Sequence, residues 1–142
     1  MKKALMVVCR IVLGGVFVFA AVGKIINPVA FADAIDNYRI LPYIFIPFLA
    51  IVLPWAEAIC GVLLLLGRRL AGSSFIVVAL NLVFIVAISS AIFRGLDIDC
   101  GCFSVGVAKA GYARLIEDLV LLAMAIFLFL ESIKSDGLLA EK

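Results

Sequence analysis

Four stretches of this chain are dominated by apolar residues: 4–26, 43–66, 70–93 and 112–130. Each is close to or above the roughly 20 residues that an α-helix needs to cross hydrocarbon. The expected architecture is an all-α membrane protein, a four-transmembrane-helix bundle formed by a single domain over residues 1–142. Met1-Lys2-Lys3 before the first run resembles the start of a signal peptide with Ala20 as a cleavage position, but Arg10 interrupts the apolar segment and the run is long enough to span. It is therefore read as an uncleaved first helix. Gly14, Gly15, Ala20, Ala21 and Gly23 give it small surfaces for close helix packing. Lys24 falls at its far end, where a long side chain can reach the interface.

Between the first two runs, Asn27-Pro28 supplies a cap and a first helical position for a short helix running to about Arg39. Phe31, Ala34, Ile35 and Tyr38 fall on one face, with Asp33, Asp36 and Asn37 away from it. That pattern suits a helix lying in the membrane interface, or an ordinary amphipathic connector. The second run carries Pro47 and Pro54, which should bend it or delay its start, together with Trp55 and Glu57. Gly67-Arg68-Arg69 makes a basic turn into the third run, whose Asn81, Ser89 and Ser90 are expected to hydrogen-bond across helices. Residues 94–111 form the longest polar connection, and residues 131–142 read as a charged, frayed tail.

Composition agrees with a membrane protein. The chain is 67% hydrophobic with a mean hydropathy of +1.32, more apolar than a soluble domain of 142 residues can bury. A net charge of +2 leaves no footprint for nucleic acid. Lys2, Lys3, Arg68, Arg69, Lys134 and Lys142 fall on one side of a four-span arrangement, against Arg39, Arg94 and Lys109 on the other. Positive charge concentrates on cytoplasmic loops, so both termini and the 131–142 tail are expected in the cytoplasm, the chain in an inner membrane, and the short second helix and the 94–111 loop in the periplasm.

That loop holds the clearest chemistry, Asp99-Cys100-Gly101-Cys102-Phe103. Two thiols one residue apart close a disulfide only through a tight turn, which a glycine spacer makes cheapest. An exposed, strained pair is redox-labile, and the periplasm is where disulfides are exchanged. Two inert thiols, or half of a metal site, are the other readings. With no His, and with Cys9 and Cys60 inside apolar runs, a metal is not expected. Charges within the spans form a second candidate set. Arg114, Glu117 and Asp118 recur at i, i+3 and i+4 and are expected to face the bundle interior beneath the cysteine loop. There they can orient the loop, tune the thiols, relay protons or bind a quinone head, or simply hold the bundle together. Glu57 lies deeper, with Arg10 or Lys24 as its counter-ion.

Taken together, these residues resemble the MauE branch of the DoxX-like membrane proteins. The resemblance rests on Gly23-Lys24, Pro28, Phe31, Pro54-Trp55-Ala56-Glu57, Gly67, Cys100-Gly101-Cys102-Phe103 and the 114–118 segment. Where the family pattern continues from Cys-Phe into Gly, this chain has Ser104. The resemblance implies a four-helix membrane bundle. It also implies an association with maturation of the disulfide-rich small subunit of methylamine dehydrogenase, alongside a thioredoxin-like partner. The expected activity is thiol–disulfide exchange by Cys100 and Cys102 with a periplasmic thioredoxin-like protein, in a lipid membrane, with quinone as a possible acceptor. Lys24, Glu57, Arg114, Glu117 and Asp118 act as supporting charges in that reading. The alternatives are a DoxX-type quinone oxidoreductase subunit working through its buried charges, and a non-catalytic assembly protein.

Overall fold

A computed structural model describes residues 1–96 and 111–140. Every regular element among them is helical: α1 (Lys2–Ile26), α2 (Pro28–Asn37), a 3-10 turn (Tyr43–Phe45), α3 (Ile46–Leu66), α4 (Leu70–Phe93) and α5 (Tyr112–Ala140). The cysteine pair, Cys100 and Cys102, lies outside the described residues.

The helix boundaries follow from local chemistry. The Asn27 side chain accepts from the Ala30 N–H at 3.3 Å and Pro28 opens α2, as the sequence suggested. Pro47 sits in the first turn of α3, where its missing N–H is harmless, and the 3-10 turn before it supplies the delayed start. Gly67 closes α3 at φ 71°, and the Arg68 N–H returns to the Leu63 carbonyl at 3.0 Å. This left-handed cap satisfies carbonyls that the helix end would otherwise leave open.

Helix α5 runs past residue 130, where the sequence reading ended it, and takes in part of the expected tail as far as Ala140. No Pro or Gly interrupts it before Gly137, Glu131 pairs with Lys134 one turn on at 3.6 Å, and the Ser132 hydroxyl donates to the Phe129 carbonyl at 2.8 Å.

Helix α1 packs chiefly on α3, α4 chiefly on α5, and α3–α4 and α1–α5 contacts close the bundle. The α1–α3 seam is the tightest. A Cβ on Gly14 would lie 2.8 Å from the Gly61 carbonyl oxygen, and one on Gly61 would lie 2.9 Å from that of Gly14. Backbones can approach this closely only where both residues lack side chains. Gly15, in the same small-residue run, faces open space. The core around this seam is apolar and joins Leu13, Phe17, Leu64, Val77 and Leu128 with the free thiols Cys9 and Cys60.

Three helical segments, Lys2–Ile26, Tyr43–Leu66 and Leu70–Phe93, are long and apolar enough to cross a membrane by length and composition. Large apolar side chains such as Phe19, Phe48, Phe75 and Val86 stand exposed around the bundle, an arrangement suited to lipid and costly in water. The sequence reading expected four spans. Helix α5 is long enough, but its charges at 114, 117, 118, 131, 134 and 136 leave only the stretch 119–130 uncharged. In helix α2, Phe31 and Ala34 are buried against α1 and α3, while Val29, Asp33, Asp36 and Asn37 face outward.

Candidate functional site: a buried charge cluster between the helices

Lys24 occupies the last turn of α1 and Glu57 the middle of α3. Each is only 1% exposed, and the Lys24 ammonium donates to both Glu57 carboxylate oxygens at 2.8 Å. Lys24 therefore does not reach the interface as its sequence position suggested, and it is Lys24, not Arg10, that neutralises Glu57. The Phe31 and Phe84 rings flank the ammonium, with centroids 5.0 and 4.7 Å away. They replace water around a cation with the negative faces of two aromatic rings. A dry pair of this kind persists only because charge is matched within the site, since either ion alone is expensive there. Arg10 instead lies against the C-cap of α3, in space that Gly67 leaves by having no Cβ.

Asp118 on α5 reaches the same region from the opposite side and is 4% exposed. Together with Glu57, Asn81 and Phe84 it lines a chamber of about 20 Å³, whose other walls are Val16, Phe17, Ala20 and Leu121. The Asp118 Oδ2 is buried and accepts no hydrogen bond among the described residues. Asn81 spends its amide N–H on the Val77 carbonyl, 3.1 Å away in its own helix, rather than bridging helices as expected.

The three charges expected on one face of α5 separate. Asp118 is buried and Arg114 largely so, but Glu117 is more than half exposed and meets Arg114 from the outer surface. Residues 117 and 118 differ by about 100° around a helix, so one buried stripe does not hold both.

Above this cluster, at the end from which the 97–110 segment departs, the Arg94 guanidinium donates to the Tyr38 carbonyl at 2.9 Å. That bond ties the end of α4 to the end of α2. Tyr38 packs with Ile88 and Ala91, and burial, reinforced by the Asp118 charge and opposed by Arg114, pushes its phenol up to about 12. A wholly different feature lies beside it. An apolar cleft of about 480 Å³ runs between α2, α3 and α4, lined by Phe31, Ile35, Tyr38, Leu49, Phe84 and Ala87 among others. Its inner wall is thus the same pair of rings that covers Lys24.

Sequence reasoning missed Phe31, Phe84, Tyr38 and Asn81 as parts of the site. Phe31 had a signal, being one of the positions that carried the family resemblance, whereas Phe84 is one of many aromatic residues in apolar runs. Among the described residues no group of three or more His, Cys, Asp or Glu is placed to hold a metal ion.

The family model described as "Methylamine utilisation protein MauE" matches residues 2–131, and so takes in the buried pair, Asp118 and the cysteine loop. The chain belongs to the MauE family. The MauE protein of Paracoccus denitrificans is 34% identical over 119 residues, covering 82% of this chain and 64% of the relative. That of Methylophilus methylotrophus is 27% identical over 125 residues, covering 86% and 66%, and that of Paracoccus versutus 34% over 119 residues, covering 82% and 64%. The chain thus spans a little under two thirds of the length of these MauE relatives. Each of the three is named a methylamine utilization protein. No solved structure matches the chain.

Proposed function

We propose that this MauE-family membrane protein is a thiol–disulfide oxidoreductase or redox maturation factor, in which Cys100 and Cys102 exchange electrons with a thioredoxin-like partner outside the cytoplasm. The observation that carries the proposal is the Cys100-Gly101-Cys102 element within the family-matched region, in the connection between α4 and α5. The anchorage of that connection supports it. On one side Arg94 is bonded to the end of α2, and on the other α5 begins at Tyr112 and carries Asp118 into the bundle.

In the exchange, a thiolate of one partner attacks a sulfur of the other's disulfide and forms a mixed disulfide. The second thiol of the attacking pair then resolves it. One disulfide is reduced to two thiols and the other dithiol is oxidised, with two electrons and two protons transferred. The Cys100/Cys102 pair must then be returned to its starting state by a second redox carrier. The apolar cleft beside Phe31 and Phe84 fits the tail of an isoprenoid quinone, with Phe31, Ile35, Leu49 and Phe84 along its walls. A quinone bound there would supply a two-electron acceptor within the membrane.

In this reading α5 is the fourth span, both termini are cytoplasmic, and α2 and the cysteine loop are periplasmic in the inner membrane. The names of the relatives support a role in methylamine utilisation, where the family resemblance implies a disulfide-rich client. The Lys24–Glu57–Asp118 cluster also supports a second reading, a quinone oxidoreductase subunit that works through buried charge without the cysteines.

Thiol trapping on intact membranes tests the first reading. Cys100 and Cys102 are expected to be partly oxidised and reducible by mild dithiols, and Cys100→Ala or Cys102→Ala is expected to accumulate a mixed disulfide with a partner. Full activity in both single variants and the double variant, with no trapped partner, sinks the thiol reading and leaves the buried-charge one.

A further inference from the structure

The buried ammonium is committed to one carboxylate. Lys24 spends two N–H groups on the two oxygens of Glu57, so Asp118 is the second carboxylate at a site whose one ammonium is already engaged. Its Oδ2 is buried and accepts no hydrogen bond among the described residues, and Asp118 lines a chamber shared with Glu57 and Asn81. Three polar residues from three different helices thus line one small void whose remaining wall is apolar. A polar void needs about 10–15 Å³ to take one water, together with two to four polar partners. This one measures about 20 Å³ and has Asp118, Glu57 and Asn81 on its wall.

We propose that the chamber binds a single water between Asp118, Glu57 and Asn81, and that this water makes Asp118 and Glu57 one proton-carrying site inside the bundle. One amide N–H of Asn81 goes to Val77, which leaves its amide oxygen as an acceptor and its second N–H as a donor for the water. In the step the proposal describes, the O–H of a protonated Asp118 gives its proton to the water as the water gives one of its own to Glu57. Asp118 is left as carboxylate, Glu57 becomes neutral, and the Lys24 ammonium stays charged. The total charge of the cluster is the same before and after, which is what a water-poor interior requires of a step that moves one proton.

The groups that act on this site come from every helix around it: Lys24 of α1 beside Glu57 of α3, Tyr38 after α2, and Arg114 and Glu117 one turn or less from Asp118 on α5. From α4 the contribution is the uncharged Asn81 and the Phe84 ring. The Lys24 ammonium already fills the cationic position, which favours a neutral water over a bound metal cation. The proposal does not rest on the cysteines.

Infrared spectroscopy of the full chain in liposomes, titrated with pH in light and heavy water, tests it. The wild type is expected to show the carbonyl stretch of a protonated carboxyl buried from solvent, appearing and vanishing with pH and moved by heavy-carbon labelling of aspartate. Asp118→Asn is expected to remove that band. Asn81→Leu fills the chamber with an apolar side chain of similar size, and is expected to keep the band while shifting its titration midpoint by at least tenfold in proton concentration.

Absence of a titrating aspartate band in the wild type, or its survival in Asp118→Asn, overturns the proposal. An unchanged midpoint in Asn81→Leu overturns it equally, because Asp118 would then titrate without the chamber. If Asp118→Asn does not fold, the Asn81→Leu midpoint decides. None of these readouts depends on thiol exchange, so loss of the Cys100/Cys102 reading leaves this test intact.

Discussion

Lys24 shows how far the surroundings decide what a residue does. A lysine two positions from a helix end reads as an interface anchor, and only the arrival of Glu57, Phe31 and Phe84 from three other helices turns it into a buried ion. Single-chain periodicity does not encode that meeting, although the presence of Glu57 in an apolar run signals that some cation must come to it. Lys24→Met and Glu57→Leu are each expected to destabilise the protein by about 3–5 kcal/mol, because each strands one buried charge. The double substitution is expected to recover most of that loss, and denaturant titration in detergent measures all three. Tyr38 gives a pH signature. Its folded-state value is raised from 10.0 to about 12, so its contribution is fully present below pH 10 and disappears as pH climbs through about 12. The stability of the wild type is therefore expected to fall across that window more steeply than that of Tyr38→Phe, as thermal melts at successive pH values would record.

At the scale of elements, most helix bounds were legible because their signals are local. Asn27-Pro28 opens α2, Pro47 delays α3 and Gly67 ends it, each through its own backbone chemistry. The length of α5 was not legible, since charged residues after 130 look like a tail although nothing in their backbone preferences stops a helix. Nor did the run of small residues in α1 reveal which of them faces α3. Gly14 does and Gly15 does not. Gly14→Val is accordingly expected to cost at least 2 kcal/mol more than Gly15→Val, because its side chain would be driven into the Gly61 carbonyl and Leu65. A matched pair of melting curves settles the comparison.

For the molecule as a whole, hydropathy identified a membrane protein and the meeting of its charged residues required three dimensions. The proposed topology can be checked directly. Reporters fused at Gly101 and after Lys142 are expected to face opposite sides of the membrane, and the same side for both refutes the four-span arrangement. The Lys24–Glu57 pair also has a consequence for how such a protein is made. Translocon insertion scales charge about 2.5–3.5 kcal/mol for an ion at the centre of a lone helix, and Glu57 sits mid-way along α3. α1 and α3 are successive candidate spans joined through α2 and the 3-10 turn, and they meet directly at the Gly14–Gly61 seam. The two helices are therefore expected to enter the lipid as a neutral hairpin, with each ion carried across by the other, and Lys24→Met is expected to insert less efficiently than the double substitution with Glu57→Leu, as the yield of membrane-inserted protein would record.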